Sequence, residues 1–153
     1  MWREIMDRNQ FENILDFAIE REWEAVHFYH RMLQDAPTIA LMEAIREIEL
    51  MERQHIETLE QFRKIGFSAK AIPVVENLQI GEYLVPPSED RNYQNALVTA
   101  MQREELSYKL YKALAKGSQD RGVANLFEKL AAEEAGHKNY FEKLYDTEVL
   151  REN

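Results

Sequence analysis

Glu22, Glu52 and His55 recur 82 positions later as Glu104, Glu134 and His137, and the offset does not slip. Each triplet is a lone Glu followed by Glu-x-x-His. All six side chains fall where the surrounding sequence repeats apolar residues at alternating steps of three and four, the period of a helix buried along one stripe. The first stripe is Phe11, Leu15, Ala18, Glu22, Ala25, Tyr29, Met32, and the second is Leu41, Ile45, Ile48, Glu52, His55, Leu59, Phe62. The third is Tyr93, Leu97, Ala100, Glu104, Ser107, Tyr111, Leu114, and the fourth is Val123, Phe127, Leu130, Glu134, His137, Phe141, Leu144. Moving the first two stripes by 82 places lays every position on the last two with the same chemical class or a close size match. The chain is therefore an internally duplicated helical hairpin. A pseudo-twofold axis should pass through the point where the six ionisable groups meet.

Turn residues set the limits of the elements, and the spacing predicts helices at about 8–34, 38–65, 88–116 and 119–146. Asp35, Ala36 and Pro37 end the first, since Pro is tolerated at a helix start but not inside one. Gly66 ends the second. Pro86-Pro87-Ser88 leads into the third with Ser88 as N-cap, and Gly117-Ser118 ends it, with Ser118 capping the fourth. The stripes follow the 3.5-residue seam of left-handed helix packing. The expected fold is all-α, a four-helix bundle occupying residues 1–153 as one domain. Between the hairpins, residues 67–87 have no helical period. A helix of ~26 residues is ~39 Å long and twenty extended residues reach ~66–72 Å, so this crossover can run the length of the bundle. Its Ile72, Val74, Val75, Leu78, Ile80, Tyr83 and Leu84 are expected to cover apolar surface.

Composition narrows the function. The 28 acidic and 19 basic side chains give a formal charge of −9, and without a basic stripe such a chain repels phosphate backbones, so no nucleic-acid partner is expected. No stretch approaches the ~20 apolar residues of a membrane span, and the first ten residues are too charged for a signal peptide. No membrane association and a cytoplasmic location are expected. With zero Cys, there is no thiolate metal site, iron–sulfur cluster or CxxC redox module in the sequence.

The six in-stripe residues need a counter-charge, because burying four carboxylates unpaired costs several kcal/mol each or forces protonation. Residues three apart on a helix project from nearly the same face, so each Glu-x-x-His can grip one ion. With Glu52 and Glu134 as bridges, Glu22 and His55 would hold one ion and Glu104 and His137 the other, leaving positions open on both. Four carboxylates balance two divalent ions. Oxygen and imidazole ligands suit iron or manganese and do not exclude zinc, and the set is one already established for di-iron and di-manganese bundles.

At these residues the chain resembles the ferritin-like superfamily, specifically rubrerythrin-like di-iron proteins, over nearly its whole length. The motifs are Glu22-x-x-Ala25-x-x-Phe28-Tyr29, Glu52-x-x-His55, Glu104-x-x-Ser107-x-x-Leu110-Tyr111 and Glu134-x-x-His137. One Glu-x-x-His alone carries little; two, each preceded at equal distance by an in-stripe Glu, are specific. The resemblance implies a ferritin-like four-helix bundle with two iron ions that react with O2 or hydrogen peroxide. The chain departs from rubrerythrin at Ser107, where that family has a further Glu, and lacks a Cys-bearing rubredoxin module, so a separate electron-donor protein is expected. The symmetric six-ligand set also looks like that of bacterioferritin, although no fifth helix is expected after the fourth.

Tyr29 and Tyr111 are candidates for hydrogen bonds to ligand carboxylates, against the plainer reading of core aromatics. His27 and His30 lie off the stripe and read as surface residues. Glu49 and Glu133 flank the ligands, but their repeat partners, Ala131 and Met51, offer no donor atom, so both read as solvated or as supports to the ligands. The long apolar crossover makes a homodimer the expected assembly, with each site built within one chain rather than from exchanged hairpins. Three function classes follow: a peroxide- or O2-reducing enzyme, a ferroxidase that handles iron, and a metal-dependent structural or sensing bundle.

Overall fold

The computed structural model describes residues 6–68, 71–75, 78–84 and 92–147. Among them are four α-helices: α1 (Arg8–Met32), α2 (Ile39–Ile65), α3 (Tyr93–Gly117) and α4 (Arg121–Tyr145). Each begins at a side chain that satisfies an orphan backbone N–H of the first turn. Asp7 caps α1 in a capping box with Gln10, and Thr38 caps α2. The caps of the second hairpin differ from expectation. Asn92 caps α3, accepting from the Asn95 N–H, while the region around Ser88 lies outside the described residues. Asp120 caps α4. Ser118 instead closes α3, its hydroxyl donating to the Leu114 carbonyl. A carboxylate placed one residue before the helix outcompetes a hydroxyl already committed to the preceding one.

Two apolar clusters fix the directions of the helices. One joins the start of α1 (Phe11, Leu15), the end of α2 (Ile56, Leu59), the end of α3 (Leu110, Leu114) and the start of α4 (Val123, Phe127). The other joins the end of α1 (Tyr29, Met32), the start of α2 (Leu41, Ile45), the start of α3 (Leu97, Ala100) and Phe141 near the end of α4. So α1 runs with α4 and α2 with α3, and the chain leaving α2 must travel the whole bundle before α3 can start. A 25-residue helix is about 38 Å long, which explains the length of the crossover. Moving each element by 82 positions exchanges the two clusters. The pseudo-twofold axis therefore crosses the bundle between them, where the six ionisable residues lie. The predicted stripes are buried throughout except Phe62, Tyr93, Ser107 and Leu144, which are half-buried. Among the described residues, no helix is long and apolar enough to cross a membrane.

Ile72, Val75, Leu78 and Tyr83 of the crossover pack against the first cluster as expected, Phe67 joins them, and a short 3-10 turn, Ile80–Tyr83, interrupts the crossover; the Ile80 side chain lies outside what the structure describes. Val74 and Leu84 were expected to cover apolar surface but are 42% and 51% exposed. At Val74 the backbone, not the side chain, is the contact: its N–H donates to the Gly117 carbonyl at 2.7 Å. A Cβ on Gly117 would stand 2.6 Å from the Val74 oxygen and 2.8 Å from Val75 Cγ2. Gly117→Ala should therefore lift the crossover and lose that hydrogen bond, destabilising by about 1–3 kcal/mol. A helix-propensity gain of up to ~1 kcal/mol offsets part of this. Urea unfolding measures the balance, and a variant as stable as the parent would contradict the close approach.

Candidate metal centre

Each hairpin brings its Glu, Glu and His to mid-bundle. Glu22 and Glu104 come from α1 and α3, and the Glu-x-x-His pairs come from α2 and α4. The four carboxylates are each 1% exposed, and both imidazoles are buried. They form two quartets in which one ligand atom per residue lies within 4.8 Å of the others: Glu22, Glu52, His55, Glu134, and Glu52, Glu104, Glu134, His137. Glu52 and Glu134 are common to both quartets, which is the arrangement expected of bridges. His55 Nδ1 lies 3.2 Å from Glu134, 3.5 Å from Glu22 and 3.7 Å from Glu52. His137 Nδ1 lies 2.9 Å from Glu52, 3.6 Å from Glu104 and 3.7 Å from Glu134.

The tyrosines tie the halves together. Tyr29 donates its hydroxyl to Glu104 Oε1 at 2.5 Å, and Tyr111 donates to Glu22 Oε1 at 2.5 Å. The two bonds are repeat images of each other, and each occupies one oxygen of a carboxylate that is not shared. Glu133, off the stripe and half-buried, sits with Oε2 2.7 Å from His55 Nε2, so it orients that ring from behind. Its repeat partner is Met51, so this support is one-sided. Glu49 faces His30 Nδ1 at 3.0 Å, and both His27 and His30 are exposed.

Donor chemistry tests whether ions fit here. One oxygen of each ligand carboxylate (Oε2 of Glu22, Glu52 and Glu104, Oε1 of Glu134), together with His55 Nδ1, is buried without a hydrogen-bond partner among the described residues. Such orphans are costly in a protein interior, and these converge on two shared points. Cations would satisfy them together. The protonation pattern agrees. Burial, then the charges of Glu22 and Glu104, push the Glu52 carboxyl well up, and burial with Glu104, Glu22 and Glu52 does the same to Glu134. Burial also works against a charged Glu22, but the adjacent Glu52 and His55, with the Tyr111 hydroxyl, outweigh it and hold that carboxyl down. For His55, burial opposes the charged ring, yet the adjacent carboxylates of Glu134, Glu22 and Glu52 raise it far above the usual range. His137 moves up in the same way, Glu104 outweighing burial. All of these shifts except that of Glu22 favour the protonated form, so Glu52, Glu134, His55 and His137 are the groups at which protons and cations compete. Loading two divalent ions should release up to four protons per chain, one from each of these groups, and the affinity should rise with pH. A weakly buffered titration read with a pH indicator measures the release; loading without any would contradict the ligand assignment.

The rubrerythrin family model matches residues 13–145 of the chain, which spans all four helices. No curated protein matches the sequence significantly. Among solved structures, a hypothetical protein from Pyrococcus furiosus superposes with a TM-score of 0.68 at 22% identity, covering 89% of this chain and 88% of that one. A dodecameric thioferritin, the bacterioferritin-related protein of Bacteroides fragilis, superposes with a TM-score of 0.73 at 16% identity, covering 95% and 89%. At these identities the likeness establishes the ferritin-like bundle fold.

Proposed function

Because the chain belongs to the rubrerythrin family, we propose that it is a non-haem di-iron oxidoreductase that reduces hydrogen peroxide or O2. The observation that carries this reading is the pair of quartets sharing Glu52 and Glu134, with one oxygen of each of the four cluster carboxylates unpartnered among the described residues. Glu22 and His55 would hold one iron, Glu104 and His137 the other, and Glu52 and Glu134 both; manganese or zinc suits the same donors. When bound, the iron pair supplies the two electrons that a peroxide O–O bond takes up. Tyr29 and Tyr111 fix one oxygen of Glu104 and of Glu22, so the other remains for the ion, and Glu133 holds the His55 ring. The apolar clusters on both sides exclude bulk water and keep these contacts strong. With zero Cys in the sequence, electrons would arrive from a separate donor protein, and we place the protein in the cytoplasm as a homodimer.

The fold likeness to a thioferritin favours one second reading, oxidation of ferrous iron for storage. Anaerobic loading with Fe(II), followed by separate pulses of peroxide and O2, distinguishes the two. Enzymatic reduction consumes peroxide repeatedly when a reductant is supplied, at constant iron content. Storage accumulates ferric iron well beyond the loaded pair. Only trace metal after reconstitution with Fe(II), Mn(II) and Zn(II) would remove both readings.

A further inference from the structure

Beside the ligand cluster lies a small cavity, about 10 Å³ in volume, lined by Glu104 and Glu134 from the cluster, Arg21, Arg103, Ser107, and Tyr83 from the crossover. That is room for about one water-sized molecule. Arg21 and Arg103 obey the same 82-residue offset as the ligands, each standing one residue before a ligand Glu. Ala25, which also lines the cavity, and Ser107 are a second repeat pair. Two repeat pairs thus face the cavity, and two small side chains, one from each half, keep it open.

Both guanidinium groups are held in place. Arg21 lies 2.8 Å from Glu24 and stacks on Phe17 at 4.8 Å; Arg103 lies 3.5 Å from Glu24 and stacks on Phe28 at 5.2 Å. Glu24 is thus one carboxylate shared between two cations, and Glu20, 3.8 Å from Arg21, is too exposed to cancel the remainder. Each arginine also keeps a buried Nε–H with no acceptor among the described residues.

We propose that the cleft between Arg21 and Arg103 is the entrance to the ligand cluster, and that its paired guanidinium groups make it selective for small anions over hydrated divalent cations. This inference rests on the di-metal reading and ranks what the entrance admits: anions are favoured over cations, while neutral molecules such as peroxide or O2 pass on size alone. The whole chain carries −9 and would repel an anion. With ions bound, however, Glu104 and Glu134 in the cavity wall are balanced, and at 0.1 M salt the Debye length is ~10 Å, so a molecule at the mouth senses the two guanidinium groups before the more distant carboxylates. Ionic strength should therefore slow anion entry, the opposite of what the net charge alone dictates.

Azide and nitric oxide, anionic and neutral probes of similar size, test this by stopped-flow absorption on the iron-loaded chain, azide on its oxidised Fe(III) form and nitric oxide on its Fe(II) form, where each adduct absorbs. For the parent, the azide on-rate should fall as salt rises. The doubly substituted R21Q/R103Q chain should lose roughly tenfold in azide on-rate, lose the salt dependence, and keep the nitric oxide on-rate. Ser107→Leu, which fills the cavity without touching charge, should slow both probes. Unchanged on-rates for both probes in Ser107→Leu would overturn the entrance, and an unmoved azide on-rate in R21Q/R103Q would overturn its selectivity. Should the double variant not fold, the same charge comparison is made on Arg103→Gln alone. Iron content is measured first: a parent chain that takes up no iron overturns the di-metal reading itself, whereas a loaded chain with unmoved on-rates overturns only the entrance.

Discussion

Glu52→Ala should strip the chain of nearly all its metal, while Glu22→Ala should leave about one ion of two. The difference follows from the quartets, since Glu52 belongs to both and Glu22 to one. Glu134→Ala should behave as Glu52→Ala and Glu104→Ala as Glu22→Ala, because each pair is related by the 82-residue offset. The metal-free variants should show the reverse order. Burial and like-charge repulsion push Glu52 and Glu134 up, whereas on Glu22 burial is outweighed by its neighbours, which favour the charged form. Removing a bridge should therefore cost the metal-free protein less stability than removing Glu22, whose loss also leaves the Tyr111 hydroxyl without its acceptor. Elemental analysis after Fe(II) reconstitution and urea unfolding of the metal-free chains measure the two orders. Equal metal loss from Glu22→Ala and Glu52→Ala would remove the bridging assignment.

Much of this was legible in the sequence, for one physical reason. An ionisable residue inside an apolar stripe is too costly to be accidental, and six of them at one offset specify where four helices must meet. The helix directions and the bundle-long crossover then follow from the hairpin duplication. What the sequence did not disclose depends on contacts between elements. Ser88 and Asn92 are both competent caps by residue type, and it is Asn92 that accepts from the Asn95 N–H at the start of α3. Ser118 could cap α4 until the end of α3 claims its hydroxyl. Glu133 looked peripheral because Met51 is its repeat partner, yet α4 carries it across to His55 on α2. Arg21 and Arg103 obeyed the offset from the start. They went unread because they lie beside the stripe, where an Arg ordinarily means a solvated helix face.

Metal should stabilise the fold strongly, and the gain should depend on pH in a direction fixed by the cluster. An ion at 100-fold above its dissociation constant that binds only the folded state contributes about 2.7 kcal/mol. For a domain of this size each kcal/mol moves the melting temperature by ~2–4 °C, so chelation should lower it by at least ~5 °C. In the metal-free chain, Glu52, Glu134, His55 and His137 all have folded pKa values above their ordinary ones. Groups raised on folding bind more protons in the folded state. Their contribution is complete below the unfolded values of 4.5 for the carboxyls and 6.5 for the imidazoles, and it is lost as pH rises through the folded values. Glu22, held low, runs the other way, one group against four. Metal binding requires the same four groups to be deprotonated, so its contribution grows as pH rises. The melting temperatures of loaded and metal-free protein should therefore diverge from about pH 5 to pH 8 and converge toward acid, where protons replace the ions. Calorimetric scans across that range, with saturating Mn(II) and with chelator, measure the gap; a gap independent of pH would mean that the ions bind somewhere other than these six residues.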